Sequence, residues 1–590
     1  MTRYAFDDFC LDDATRALSR GGVPIALTPR VFATLLHLLA RGGELVDKDE
    51  LMQAVWPARV VEENNLNQAI SALRRALGEP RGEHRCILTV PGRGYRFVAP
   101  VQVVPPTDPA PATKPLRTLA VLPFTLLQAT PDDALQTGMA DTLITRLSGL
   151  GTLIVRPLSA VSRFSAQQHD PLDIGRRLGV DAVMDGSIQQ SAGRIRVSMR
   201  LLDVAEGRQQ WAEIFDSQAD DLFALQDAVA QKAATALALR LTYDQRIRLT
   251  RSYTSNPEAW RCHALARFFV EQRFPSALAR AVQYFRQALA LDPGHALAYA
   301  GLSDVYTIQG VMGARPPHEV GPLAREAALH ALAIDERLPM AHYALGHALV
   351  QYDRDRAGAE LAYRRALELD PGCTNACHRY AILLMTSGRA DEAFAQIRRA
   401  RELDPTSLPI DVTEGFLHYW NRQHGRAIEH LHDALQREPR FWMAHYWLAQ
   451  AQGVQGDYAA AIASAQRANE LVGDDGALWL IGWAHAVAGR RDEALAQLDA
   501  LLERSRHHYV PPYDIAQVHA GLGDNEQVFA WLDRAERERS RYLDTLGVSP
   551  IMDAFRGDPR MPDLYGRVGI RPNDGAAIAL NAAVRSAPSR

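Results

Sequence analysis

The sequence predicts a multidomain, mainly α-helical protein with an N-terminal α+β domain, a central α/β domain and a C-terminal α-α solenoid. The first 100 residues combine short alternating strands with amphipathic helices, and residues 116–245 alternate apolar strands with helices. Residues 257–540 repeat small residues at a 34-residue step, which is typical of stacked helix pairs. A chain of 590 residues is also too long for one hydrophobic core.

A helix is predicted from Glu62 to Gly78, and it has an apolar and a polar face. Four apolar residues recur at helical spacing, which predicts contact with a core. They are Leu66, Ile70, Leu73 and Leu77. The opposite face carries hydrogen-bonding and basic side chains, the types that contact base edges and phosphates in DNA complexes. They are Asn64, Asn67, Gln68, Ser71, Arg74 and Arg75. Such a helix alone is more often a solvated surface helix, so the next element decides the interpretation.

A β-hairpin is predicted directly after this helix. Residues 87–90 and 95–97 are predicted strands on either side of the turn Pro91-Gly92-Arg93-Gly94. An arginine at a glycine-flanked hairpin tip can enter a minor groove or meet a phosphate, which makes Arg93 and Arg96 candidates for DNA contact. Two aromatic residues of the second strand are predicted to lie in the core, Tyr95 and Phe97.

Residues 1–100 resemble the winged-helix DNA-binding domain of OmpR/PhoB-type response regulators. Four motifs carry the resemblance in order: Leu27-Thr28-Pro29-Arg30, Leu51…Val55-Trp56-Pro57, Leu73-Arg74-Arg75-Ala76-Leu77 and Gly94-Tyr95-Arg96-Phe97. The resemblance implies that the third helix enters the major groove and that the hairpin is the wing. The predicted DNA-binding residues are Asn64, Asn67, Gln68, Ser71, Arg74, Arg75, Arg93 and Arg96.

The remaining elements of this domain follow from local patterns. Short apolar pairs within residues 1–28 predict a small antiparallel sheet. Thr28 is a candidate N-cap for a helix over Arg30–Arg41, and Asp47 is a candidate cap for a second helix that ends at Val55. Trp56, which follows the second helix, is predicted to lie in the core.

A proline-rich segment, residues 101–115, is predicted to be an extended linker. Residues 116–245 then form the predicted α/β domain. The segments Leu119–Phe124 and Gly179–Ser187 resemble the N-terminal domain of TolB-like proteins. The domain carries no nucleophile elbow, no phosphate-binding glycine loop and no His-Glu-x-x-His motif, so no enzymatic activity is predicted.

Alanines recur every 34 residues from Ala359 to Ala461, and a second alanine series follows seven residues later. This step is typical of tetratricopeptide repeats, with about eight units over residues 257–540 and a loop insertion near Gly310–Pro317. Such stacks form a superhelix whose concave groove commonly binds peptides. Residues 541–572 are predicted to be a C-terminal cap, and residues 573–590 a disordered tail.

Composition limits the remaining function classes. The net charge of −4 argues against a polyanion-binding surface over the whole protein, although residues 64–100 hold six arginines and two glutamates. Five scattered cysteines argue against a disulfide framework. Cys373 and Cys377 are predicted to be small buried residues, so neither a metal nor a cofactor is expected. No apolar run is long enough to cross a membrane, and a cytoplasmic location is expected.

The favoured hypothesis is a one-component transcriptional regulator with an architecture that resembles HilA- and CadC-like regulators without a membrane span. The winged helix would bind promoter DNA, and the α/β and repeat regions would sense a ligand or protein partner. RNA polymerase is a further expected partner, and a dimer on DNA is plausible. No receiver domain is expected before residue 1, so phosphorelay remains a family-level association.

The alternative hypothesis is a tetratricopeptide scaffold whose winged helix binds protein. Residues 1–100 are nearly neutral, with 13 Lys or Arg against 12 Asp or Glu. Glu62 and Glu63, which open the predicted recognition helix, would repel phosphates if they faced DNA, although the helix dipole also favours them there.

Overall fold

The computed structural model describes most of the chain between residues 3 and 570. Its gaps are 13–16, 21–22, 26, 56–62, 80–83, 105–115, 128–132, 152, 163, 165–169, 192, 219–220, 238–240, 243–244, 246–248, 250–251, 273 and 474–475. Trp56 and the predicted tail at 573–590 lie outside the described residues. The chain forms two compact units, residues 1–115 and 116–590.

The N-terminal unit begins with a five-stranded antiparallel sheet. Its strands are β1 (Arg3–Phe6), β2 (Phe9–Asp12), β3 (Ala17–Arg20), β4 (Val23–Ile25) and β8 (Gln102–Val104). They lie in the order β4-β3-β2-β1-β8, with Val104 opposite Arg3. This pairing corrects the predicted linker over 101–115, because residues 102–104 complete the hydrogen bonding of an open sheet edge.

Three helices and a second sheet complete this unit. The helices are α1 (Pro29–Ala40), α2 (Lys48–Val55) and α3 (Glu63–Ala76). The strands β5 (Leu45–Asp47), β6 (Ile87–Val90) and β7 (Gly94–Phe97) lie in the order β5-β7-β6. Thr28 occupies the N-cap position of α1, but its side chain makes no capping hydrogen bond. The rings of Phe6 and Phe97 meet edge-on, 5.0 Å between centroids, so both sheets contribute to one core.

The second unit starts with an α/β domain built on a mixed sheet. Its strands are β9 (Thr118–Val121), β10 (Thr125–Leu126), β11 (Ile154–Val155), β12 (Ala182–Ser191), β13 (Arg194–Asp203) and β14 (Arg208–Gln218). They lie in the order β11-β9-β12-β13-β14, with β10 beside β12. The first three are parallel and the last three antiparallel.

Helices cover this sheet as the alternating pattern predicts. They are α4 (Asp133–Ser148), α5 (Leu158–Val161), α6 (Pro171–Leu178) and α7 (Leu222–Ala236). Strand β9 is shorter than predicted and ends at Val121, since Pro123 has no backbone N–H to extend the strand pairing. The short elements β10 and α5 were not evident from the sequence.

Eight helix pairs form the solenoid in the part of the chain that the structure describes. They are α8 (Pro257–Gln272) with α9 (Pro275–Leu291), α10 (Ala296–Val311) with α11 (Pro317–Ile334), α12 (Pro339–Ala348) with α13 (Arg356–Leu369), α14 (Thr374–Thr386) with α15 (Ala390–Leu403), α16 (Leu408–Trp420) with α17 (His424–Arg437), α18 (Trp442–Gln455) with α19 (Tyr458–Val472), α20 (Leu478–Val487) with α21 (Arg491–Arg504), and α22 (Pro512–Leu522) with α23 (Asn525–Arg537). The predicted repeats are confirmed, and the predicted insertion is the 312–316 loop together with a longer α11. A π-helical turn at Leu349–Asp353 follows α12 and was not predicted.

Small residues lie where helices of the solenoid cross. Every alanine of the 34-residue series from Ala359 to Ala461 is fully buried. A methyl group on Gly301 would lie 2.3 Å from the Phe285 ring, which is closer than any side chain tolerates. The 34-residue period of alanines therefore marks the positions at which two helices pack closely.

The C-terminal cap contacts the middle of the solenoid. It consists of two 3₁₀ turns, Leu543–Thr545 and Pro550–Phe555, and of helix α24 (Met561–Val568). The Arg354 guanidinium lies 2.7 Å from Glu536 Oε1 and donates to the Arg567 carbonyl at 3.1 Å. Arg422 Nη2 lies 2.6 Å from an Asp553 carboxylate oxygen. The third and fifth repeats are thereby tied to the end of the chain.

The α/β domain packs against the solenoid within the same unit. Trp260 of α8 donates from Nε1 to Thr142 Oγ1 of α4 at 3.2 Å. Arg156, which follows β11, donates to the Leu403 carbonyl at 2.9 Å, and Ser159 donates to Asp404 at 2.9 Å. These contacts join the α/β domain to the first and the fourth repeats.

Candidate nucleic-acid interface and repeat cavity

Helix α3 has one buried and one exposed face, as its sequence predicts. The four predicted core residues Leu66, Ile70, Leu73 and Leu77 are at most 2% exposed. Four predicted DNA-binding residues are exposed and follow one another at steps of four, three and four positions, which places them in one row along the helix. They are Asn64, Gln68, Ser71 and Arg75.

Arg74 lies beside this row, but its guanidinium is occupied within the domain. Nη2 donates to the Ile87 carbonyl at 2.9 Å and to Thr89 Oγ1 at 2.8 Å, both on the first strand of the wing. Nε lies 3.6 Å from Glu79 Oε2. These contacts hold the wing against α3, and the place of Arg74 on the DNA-binding surface stays a prediction.

Glu79 is a buried charged residue of this region that the sequence analysis missed. Its carboxylate is fully buried and accepts from the backbone N–H groups of Cys86 at 2.8 Å and Ile87 at 3.3 Å. A buried carboxylate is tolerated only with such partners. The available signal was its place immediately after Gly78, where α3 turns toward the wing.

Asn67 also faces the wing. Its Oδ1 accepts a hydrogen bond from the Tyr95 hydroxyl at 2.6 Å. Tyr95 and Phe97 are 4% and 1% exposed, which confirms their predicted place in the core. With the oxygen of its amide occupied, Asn67 retains the Nδ2 donor for a ligand.

The backbone conformation of the wing requires glycine at two positions. Gly92 has φ +76°, a conformation that side chains rarely adopt, and a Cβ on Gly94 would lie 2.0 Å from the Val46 carbonyl oxygen. Between these glycines, Arg93 is exposed at the tip. Arg96 is exposed on β7, where strand alternation turns it away from the core.

Three guanidinium groups remain available on this surface. Arg75, Arg93 and Arg96 make no side-chain hydrogen bond or ion pair with any residue that the structure describes. Arg93 and Arg96 together with the exposed row on α3, which contains Arg75, form a surface with free donors, which is the chemistry that phosphates and base edges require. We call this surface the α3–wing face.

A cavity of about 1340 Å³ lies in the second unit between the repeats and the α/β domain. Six aromatic side chains line part of its wall: Phe416, Trp420, Tyr446, Trp447, Trp479 and Tyr542. The rings of Phe416 and Trp447 lie 4.5 Å apart, so this wall is packed and preformed.

Charged side chains also line the cavity, and most of them are paired. Arg267 lies 3.6 Å from Asp141, and Arg541 lies 2.6 Å from Asp514. Burial raises the pKa of the Asp514 carboxyl, although Arg541 opposes that shift. Arg379 lines the cavity as well and makes no hydrogen bond or ion pair with a described residue. Arg440 and Arg504 line the cavity in the same condition, and aromatic surface beside such guanidinium groups suits an anionic or aromatic group.

Three family models match successive parts of the chain. Residues 22–97 match "Transcriptional regulatory protein, C terminal", and residues 115–232 match "HilA/YgeH-like transcriptional regulator, second domain". Residues 343–407 and 415–476 match the tetratricopeptide repeat.

Two individual relatives of the chain are also transcriptional regulators. The transcriptional regulator HilA of Salmonella typhimurium is 26% identical over 422 residues, 71% of this chain and 74% of HilA. The transcriptional activator CadC of Escherichia coli is 35% identical over 85 residues, 14% of this chain and 17% of CadC.

The chain is similar to HilA- and CadC-like transcriptional regulators that carry an OmpR-type DNA-binding domain. The solved DNA-binding domain of E. coli CadC is 28% identical and covers 18% of this regulator and 98% of that domain, with a TM-score of 0.17. A putative adenylate cyclase of Rhizobium meliloti is 30% identical over 246 residues, 41% of the regulator and 42% of the cyclase. The regulators among the relatives fit a non-enzymatic role.

The helices of the described residues differ in length and in apolar character. None of these helices combines the length and the apolar character needed to cross a bilayer. The TolB-like resemblance of the middle domain stays a prediction, because the matching model describes the second domain of HilA/YgeH-like regulators.

Proposed function

We propose that the regulator binds promoter DNA through the α3–wing face, with α3 in the major groove and the wing against the adjoining backbone or minor groove. The observation that carries the proposal is the exposed row on α3, which includes Arg75, together with Arg93 and Arg96 of the wing, whose guanidinium groups have no partner among the described residues. Non-specific affinity for DNA comes mainly from such cations, and specificity from side chains that meet base edges.

The row divides into base-reading and phosphate-contacting candidates. Gln68 can bond an adenine with both ends of its amide, and Arg75 can bond a guanine in the same bidentate way. Ser71 lies between them in the row and can bond either base. Asn64 lies in the first turn of α3, where backbone N–H groups also favour a phosphate. Arg93 and Arg96 supply the contacts of the wing.

Arg74 and Asn67 connect α3 to the wing beside the α3–wing face. Both side chains bond residues of the wing, so they fix the angle between the wing and α3. We propose that they act as positioning residues and that Asn67 adds a contact through its free amide nitrogen.

We propose that the second unit is the sensory part, with the cavity as the site for a ligand or a segment of a protein partner. Its support is the preformed aromatic wall with Arg379 beside it. Arg156 and Ser159 of the α/β domain contact the fourth repeat, so a change in the repeats on ligand binding would be transmitted to the α/β domain through these contacts. RNA polymerase as a partner, a dimer on DNA and a cytoplasmic location belong to the same proposal.

The test is a fluorescence-anisotropy titration of the full chain against fragments of the genome that encodes it, at two salt concentrations. We expect enrichment of particular fragments, and an affinity that falls steeply with salt. The double variant Arg75→Ala/Arg93→Ala is expected to lose about tenfold to a hundredfold in affinity for the enriched fragment. The matched control is Arg41→Ala, which removes a guanidinium already paired with Glu50.

Equal affinity of the double variant and the control would contradict the assigned face. A full chain without DNA binding at low salt would favour the scaffold hypothesis, which the near-neutral charge of residues 1–100 supports. The search for function would then move to partners of the repeat cavity.

A further inference from the structure

Three potential metal ligands meet in the fifth repeat, away from the cavity wall. Glu414 and His418 are one helical turn apart on α16, and His430 lies on the neighbouring helix α17. One ligand atom from each side chain lies within 4.8 Å of the other two. Imidazole nitrogens and a carboxylate oxygen are ligands that Zn²⁺ accepts in proteins.

The hydrogen bonds around these side chains favour a ligand role. His418 Nδ1 lies 2.7 Å from Gln423 Oε1, and because this oxygen can only accept, Nδ1 carries the proton. The lone pair of the ring is then on Nε2. Arg401 donates to Glu414 Oε2 at 2.6 Å, which leaves Oε1 for a further partner. Zinc-binding histidines and carboxylates are commonly oriented by partners of this kind.

Burial adds to the argument. Glu414 and His418 are 5% and 8% exposed, whereas His430 is half-buried and gives the cluster an opening to solvent.

The same histidines also pack against neighbouring rings. The His418 ring lies 4.6 Å from the Phe394 ring and 5.0 Å from the His430 ring, and the two imidazoles are inclined by 17°. Ligand atoms about 2 Å from one ion lie no more than about 4 Å apart. The half-buried His430 ring therefore has to turn by a small amount for all three groups to meet one ion.

We propose that Glu414, His418 and His430 form a Zn²⁺ site with a fourth position open to water. The ion would join α16 and α17, and through Arg401 it would also fix α15. This site lies outside the proposed DNA-binding and cavity functions, and its test is independent of both.

The test uses the full chain after treatment with a chelator, titrated with Co²⁺ as a spectroscopic substitute for Zn²⁺. We expect one bound ion with the visible absorption of low-coordinate Co²⁺, and its displacement by Zn²⁺. His430→Gln should weaken binding more than a hundredfold. The matched control is His432→Gln, an exposed histidine on the same helix, which should bind normally.

A second variant keeps the test decisive if His430→Gln unfolds. Gln423→Ala retains all three ligands but frees the His418 ring, and it should weaken binding about tenfold to a hundredfold. Equal Co²⁺ binding by the parent chain and His430→Gln would overturn the proposal, as would a parent chain that binds no ion. A sulfur-to-cobalt charge-transfer band would assign the ion to Cys373 and Cys377 and would overturn it as well.

Discussion

The α3–wing face and the repeat cavity are assembled from the chain in opposite ways. The α3–wing face uses residues between Asn64 and Arg96, and short local elements bring them together. The cavity gathers side chains from Asp141 to Tyr542, which only the stacking of the solenoid brings together. A surface built locally can be predicted from its sequence pattern, whereas a cavity built by long-range packing has to be seen in the structure.

The largest expected effect tests whether a single buried group holds the local face together. Glu79→Ala leaves two backbone N–H groups and Arg74 without their partner, so the free energy of unfolding of the N-terminal unit should fall by about 3 kcal/mol. Hydrogen exchange of the β6 and β7 amides measures the loss. The control Glu44→Ala, at an exposed carboxylate 3.9 Å from Arg41, should change little. Equal protection in both variants would show that Glu79 does not hold the wing.

The next effect tests the long-range assembly. Arg354→Ala removes the contacts with Glu536 and the Arg567 carbonyl, and should destabilise the C-terminal cap by about 2 kcal/mol. Hydrogen exchange over residues 536–568 reports it. The control Arg365→Ala breaks an exposed pair with Glu368 on one helix and should have almost no effect. An unchanged cap in Arg354→Ala would mean that apolar packing alone holds it.

A smaller effect is expected from the hydrogen bond between Tyr95 and Asn67, which tests whether the Tyr95 hydroxyl only supports the α3–wing face. Tyr95→Phe removes one hydrogen bond between the wing and Asn67, which should cost about 1 kcal/mol of stability. Thermal unfolding of the N-terminal unit measures this loss. Affinity for the enriched fragment should fall less than in the Arg75→Ala/Arg93→Ala variant, because no group that contacts DNA is lost. A larger loss of affinity than in that variant would make the Tyr95 hydroxyl a DNA contact.

The sequence predicted those features that depend on local spacing. The apolar residues of α3, the wing turn at Gly92–Gly94 and the buried alanines of the repeats all follow a period or a turn rule. The polar interior did not follow such a rule. Arg74 looks like its exposed neighbour Arg75 in the sequence, and only the position of β6 shows that it is occupied. The pairing of His418 with His430 likewise depends on how α16 meets α17.

The most direct test of the central claim compares the salt dependence of DNA affinity in three proteins. Titrations of the enriched fragment at several salt concentrations would use the parent chain, Arg75→Ala and Arg74→Ala. If Arg75 meets a phosphate or a phosphate-flanked base edge, its loss should reduce the slope of log affinity against log salt by about 0.9. Arg74→Ala should leave that slope unchanged, since its guanidinium is bound within the domain. A reduced slope for Arg74→Ala with no change for Arg75→Ala would contradict the assignment of the α3–wing face.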